Sequence, residues 1–115
     1  MNMREGSTVL ASIPQSNGNL KTRPVVLLRA IPPYQDWLIC GISTQLHQLV
    51  IGFDEIISTE DIDFIPSGLQ SKSLIRLGFL SLITRRSIIG SIGSISVDRH
   101  QRLLKNLSHH LTREI

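Results

Sequence analysis

The sequence predicts a mainly β fold, a small, strongly curved sheet or barrel followed by one C-terminal helix. Two patterns carry that prediction. As far as residue 96, the apolar residues come in short runs rich in Val, Ile and Leu, separated by Pro, Gly, Ser, Asn and Asp. After Asp98 the spacing changes. Leu103, Leu104, Leu107 and Leu111 fall at i, i+1, i+4 and i+8, which is one face of a helix.

The elements follow in order. Residues 7–13 (STVLASI) read as the first strand, and 14–22 carry the Pro, Ser, Asn and Gly of a turn. Residues 24–30 (PVVLLRA) are β-branched and apolar, and Pro32 and Pro33 end them because proline cannot donate to a ladder. Residues 36–42 (DWLICGI) form the third strand and 43–48 a polar break. Residues 49–53 and 55–58 read as a further strand with a glycine bulge or turn. Residues 59–72 alternate turn formers with isolated apolar side chains, 73–83 (SLIRLGFLSLI) return to a strand, and 84–86 make a turn. The last strand, 87–96, is isoleucine-rich with glycines at 90 and 93, and Ser96 or Asp98 caps the helix. Five or six short strands must close on themselves or cover their edges, and a dimer is one way to do so.

The chain has 115 residues, 41% hydrophobic and 18% charged, which fits one domain spanning 1–115 with a single-domain core. The net charge of +3 suits a phosphate-rich or acidic partner without demanding one. The cations are spread along the chain, unlike the dense clusters of a dedicated duplex-DNA binder. The single cysteine, Cys40, excludes an internal disulfide and reads as a small buried hydrophobe. No apolar run reaches membrane-helix length and the N-terminus lacks a secretory core, so a cytoplasmic location without membrane contact is the expectation.

Most chemical motifs are absent. His47, His100, His109 and His110 have no metal-ligand spacing and read as surface residues. Asp54, Glu55, Glu60, Asp61 and Asp63 do not match an EF-hand loop and read as a solvated acidic surface. The GSIG segment lacks the Lys-Ser/Thr of a phosphate loop. What remains is the run Lys21-Thr22-Arg23 entering Pro24. Arg23 stands at the mouth of a strand, either as a solvated charge closing a turn or as a guanidinium held rigidly for something negative. If strands two and three pair antiparallel, Arg23 meets the end of strand three, where Ser43 and Thr44 lie. A guanidinium fork beside two hydroxyls is a reasonable phosphate site.

In order along the chain, GSTVLASIP, LKTRPVVLL, ICGISTQ, SGLQSKSLIRL and IIGSIGSIS with a closing helix resemble the PemK/MazF toxins of bacterial toxin–antitoxin systems. The resemblance spans about residues 5 to 111. Its most specific part is Lys-x-Arg-Pro before an apolar strand, followed by the Ser-Thr pair and by GxIG before the helix. Two departures stand out: Gly6-Ser7-Thr8-Val9 replaces the usual Gly-Asp-Ile/Val, and the hydroxyl is Ser43 where some members carry threonine.

The resemblance implies an SH3-like barrel of the PemK/MazF/CcdB kind, usually a homodimer. It implies an endoribonuclease that uses no metal or cofactor and cuts single-stranded RNA, leaving a 2′,3′-cyclic phosphate and a 5′-OH. Arg23 and Ser43 take the catalytic positions, with Lys21, Thr44 and Gln45 as substrate-binding neighbours. The loop 14–19 and Gln45 line the RNA path, and Tyr34 and Trp37 read equally as aromatic faces for base stacking or as core or loop packing. The implied partners are an acidic cognate antitoxin and, through that complex, promoter DNA. The gyrase-poisoning activity of the related CcdB barrel does not go with a Lys-x-Arg-Pro site. The alternative is a catalytically inactive barrel that binds protein or nucleic acid.

Overall fold

The computed structural model of the chain describes residues 3–114. Its strands are β1 (Ser7–Pro14), β2 (Leu20–Ile31), β3 (Asp36–Ser43), β4 (Glu55–Ile57), β5 (Ser73–Ile83) and β6 (Ile88–Ser94); its helices are α1 (Phe64–Ser67) and α2 (Val97–Thr112). The six strands form one antiparallel sheet in the order β4-β5-β3-β2-β1-β6. The mainly β architecture with a C-terminal helix is therefore the one the spacing predicts. No helix among the described residues is long and apolar enough to cross a membrane.

Both faces of the sheet are buried, which explains the continuous apolar run Val25–Leu28. Successive side chains point to opposite faces. Val26 and Leu28 pack with Cys40, Ile42, Ile75 and Leu77 under Leu103 and Leu107 of α2. Val25 and Leu27 pack with Val9, Ala11, Ile13, Trp37, Ile39 and Ile83 on the other face. Each fully buried aliphatic side chain contributes about 1.5–3 kcal/mol relative to exposure. Cys40 belongs to the first cluster, and burial, with the nearby Asp54 charge, pushes its thiol far above the usual cysteine range. It is a packing residue.

Several local expectations need correction. The second strand starts at Leu20, so Lys21-Thr22-Arg23 are strand residues paired with β1 rather than the end of a turn. Residues 49–53 are not a strand. They form a turn organised by Asp54, whose Oδ2 accepts from Val50 N–H at 2.9 Å, while its Oδ1 accepts from Leu77 N–H at 2.9 Å. The apolar character of Val50 and Ile51 misled the reading, since both are exposed. Within 59–72, residues Phe64–Ser67 make a single helical turn. It ends at Gly68, with φ +73°. There a Cβ would stand 2.0 Å from the Ile92 carbonyl oxygen. Of the two capping candidates it is Ser96 that serves, its Oγ accepting from Arg99 N–H at 3.1 Å. His100 is buried, not superficial; its Nε2 lies 2.8 Å from the Leu28 carbonyl oxygen.

The largest correction concerns the acidic stretch, of which only Glu60 is an exposed carboxylate. Glu55, Asp61 and Asp63 surround Arg99, which is only 6% exposed. Arg99 Nε donates to Asp63 Oδ2 (2.8 Å), Nη1 to Glu55 Oε1 (2.9 Å) and the Ile56 carbonyl (3.2 Å), and Nη2 to Asp61 Oδ2 (3.0 Å) and Asp63 Oδ1 (3.2 Å). A guanidinium has five N–H donors, and here each has an acceptor. The cluster ties α2 to β4 and to the segment leading into α1. Burial alone would raise the Asp63 carboxyl, but hydrogen bonds from Arg99 and from Ser96 N–H outweigh it and hold it below the usual carboxylate range.

Removing one member of a buried ion cluster leaves uncompensated charge and costs about 3–5 kcal/mol. Arg99→Met should lower the unfolding free energy by that amount in urea denaturation; a loss below about 1 kcal/mol would contradict this role. Folded Asp63 takes up its proton less readily than the unfolded chain does. Its contribution is intact above about pH 4 and is lost as pH falls through the lowered folded value. Asp63→Asn should therefore flatten the acid limb of stability against pH.

Candidate functional site

At the open end of the β2–β3 hairpin, far from its turn at 32–35, four segments converge. The β2–β3 ladder ends at Val25↔Gly41, and two residues further along each strand stand Arg23 and Ser43. Pro24, which has no N–H to donate, sits where pairing with β3 stops. β1 holds Arg23 from the other side through Ala11↔Arg23. The β1–β2 turn adds Gln15, whose Oε1 accepts from Arg23 Nη2 at 3.0 Å.

The fourth segment is β5. Between Cys40↔Leu80 and Gly41↔Arg76, one step of β3 spans four of β5, so three residues, Leu77 to Phe79, are extra. This bulge swings the Phe79 ring over Gly41, where an added Cβ would stand 3.1 Å from ring carbons. Because Gly41 has no side chain, a cavity of about 210 Å³ opens beside it, with Arg23, Ser43, Gln45, Gln48, Arg76 and Phe79 on its walls. A second hollow of about 470 Å³ shares Arg23, Ile42, Ser43 and Gln45 and adds Lys21, Thr44 and Ser73. The five sequence-selected residues, Lys21, Arg23, Ser43, Thr44 and Gln45, thus surround one continuous depression. Its walls carry no Asp, Glu, His or Cys.

Arg23 differs from Arg99 in the state of its donors. Among the described residues, Arg23 Nε is the buried side-chain nitrogen or oxygen that has no hydrogen-bond partner. A buried donor left unmade costs about 1–3 kcal/mol. The fold therefore leaves one donor of this cation unsatisfied, beside a cavity without counter-charge. Ser43 is oriented too. Its Oγ accepts from Gln45 N–H at 3.0 Å, which leaves its own O–H free to donate. Guanidinium and hydroxyl line the same cavity.

Of the two readings of the aromatic residues, packing is the one that fits Trp37, and neither residue reaches the depression. Trp37 is buried in the core and Tyr34 is 83% exposed beside the hairpin turn, at the opposite end of β2 and β3. The aromatic wall is Phe79, and Arg76 and Gln48 join it. The signal for these was Gly78, a glycine inside a strand pattern, which marks a bulge. No protein-family model matches this chain, and no curated protein matches its sequence.

The contrast between the two arginines has a measurable consequence. Arg23→Met removes an unsatisfied donor, so thermal stability should stay the same or rise by up to about 1 kcal/mol. A loss above about 2 kcal/mol in the same denaturation assay would show that Arg23 is a structural cation.

Proposed function

We propose that the chain is the toxin of a toxin–antitoxin pair, a PemK/MazF-type endoribonuclease that cuts single-stranded RNA at the Arg23–Ser43 depression. One observation carries this reading: Arg23, with its buried Nε unpartnered, and Ser43, with a free O–H, line one cavity whose walls hold no acidic residue. That environment favours a phosphate. The ribose 2′-OH attacks the adjacent phosphorus and gives its proton to solvent water. The P–O2′ bond forms, the P–O5′ bond breaks, and the departing 5′-oxygen takes a proton from solvent water. The products are a 2′,3′-cyclic phosphate and a 5′-OH. Arg23 binds the phosphate oxygens and stabilises their developing charge, and Ser43 donates to one of them. Since the walls hold no His or carboxyl side chain, rate enhancement rests on positioning and charge more than on general acid–base strength.

The SH3-like barrel in this reading agrees with a sheet buried on both faces, one under α2 and the other against its own strands. The homodimer covers apolar side chains that a single chain leaves exposed, such as Leu82 and Ile89. An acidic antitoxin segment suits the cationic depression and competes there with RNA, and promoter DNA is reached through that complex. The setting is the cytoplasm.

The test is incubation of long, varied single-stranded RNA with purified protein in EDTA. Cleavage is expected, with 5′-OH ends that a kinase labels directly. Arg23→Ala should slow it by about 100-fold or more, the scale of losing one preorganised donor, and Ser43→Ala by about 10- to 100-fold. An Arg23→Ala protein that cuts as fast as wild type would contradict the site. Folded wild-type protein that binds RNA but leaves it intact would favour the second reading, an inactive binding barrel, to which the lack of an acid–base side chain in the walls also points.

A further inference from the structure

We infer that Arg76 is a second phosphate anchor, and that the depression holds successive phosphates of one RNA strand, with Lys21 and Arg76 flanking the central pair Arg23 and Ser43. The inference rests on the ribonuclease reading above and specifies its substrate path.

Most cations near acidic residues in this protein are paired. Arg29 bonds Glu5, Arg102 bonds Glu55, and Arg99 bonds three carboxylates. Arg76 is half-buried on the cavity wall and, among the described residues, has no hydrogen bond or ion pair. A partly desolvated guanidinium close to a second one, with no carboxylate in the walls, is unfavourable until an anion enters. The backbone is shaped to keep it there. The three extra residues of β5 set Arg76 opposite Gly41.

The arrangement gives a path rather than a point. Lys21 borders only the larger hollow and Arg76 only the smaller, while Arg23, Ser43 and Gln45 border both. One phosphate at the shared centre leaves both outer cations free for its neighbours along the strand.

Two uncleavable probes distinguish this inference from failure of the wider reading: a 2′-O-methyl dinucleotide with one phosphate and a mixed-sequence 2′-O-methyl tetranucleotide with three. Binding is followed against salt for wild type, Arg76→Met, Arg76→Lys and Arg23→Ala. Each phosphate neutralised on a single strand adds about 0.7 to the salt slope. Arg76→Met should lower the tetranucleotide slope by about that amount and weaken its binding about tenfold, while dinucleotide binding stays as in wild type. Arg76→Lys should restore the slope because the charge returns. An unchanged tetranucleotide slope in Arg76→Met, or an equal loss on both probes, would overturn the role of Arg76. If Arg23→Ala still abolishes binding in that case, the ribonuclease reading survives. Wild-type protein that binds neither probe would overturn both.

Discussion

The placement of β4, α1 and α2 depends on Arg99 within its ring of carboxylates. The β4 strand has only three residues and α1 only four, and neither is long enough to hold its own position. Glu55 extends from the first, Asp61 and Asp63 lead into the second, and Arg99 on α2 bonds all three. Asp63 also accepts from Ser96 N–H, so the same carboxylate fixes the start of α2. The buried charges are satisfied as a unit, and the loop-rich segment from 54 to 68 becomes a rigid cover for one face of the sheet. Leu103 and Leu107 then bury against Val26 and Leu28 because the helix above them is already located.

The opposite treatment of Arg23 is what marks the candidate site. The protein supplies an acceptor for every donor of Arg99 but leaves Arg23 Nε buried without one. It also removes a side chain at Gly41 and inserts three residues into β5, which opens a cavity where a regular sheet would pack shut. Each of these choices weakens local packing or pairing. Their convergence at the end of one hairpin is the physical basis for placing function there, since departures from local consistency concentrate where a ligand completes the structure.

Much of this was legible in the sequence, for reasons that differ by residue. The succession of strands and the closing helix followed from short Val-, Ile- and Leu-rich runs bounded by turn formers and from the leucine spacing after residue 98. The meeting of Arg23 with Ser43 followed from antiparallel pairing of two consecutive strands, the simplest topology available. What stayed hidden depends on contacts distant in sequence. Nothing local distinguishes Arg99 from other surface arginines; its partners lie 36 to 44 residues away. The acidic stretch looked solvated for the same reason. Val50 and Ile51 show that an apolar pair is no guarantee of a strand when an aspartate four residues on captures the backbone N–H. The β5 bulge was signalled by Gly78, but its length, and so the positions of Arg76 and Phe79, is fixed only by pairing with β3.

Under the proposed function Arg23 Nε–H is a donor held in reserve for a phosphate, whereas Arg99 Nε–H is already bonded to Asp63. NMR of the ¹⁵N-labelled guanidinium groups tests this most directly, by adding the uncleavable RNA tetranucleotide to the folded protein. The account predicts a shift of the Arg23 Nε–H signal to a hydrogen-bonded position on saturation, with Arg99 Nε–H unmoved throughout. An Arg23 signal that is indifferent to RNA, or already indistinguishable from that of Arg99 in the free protein, would contradict it.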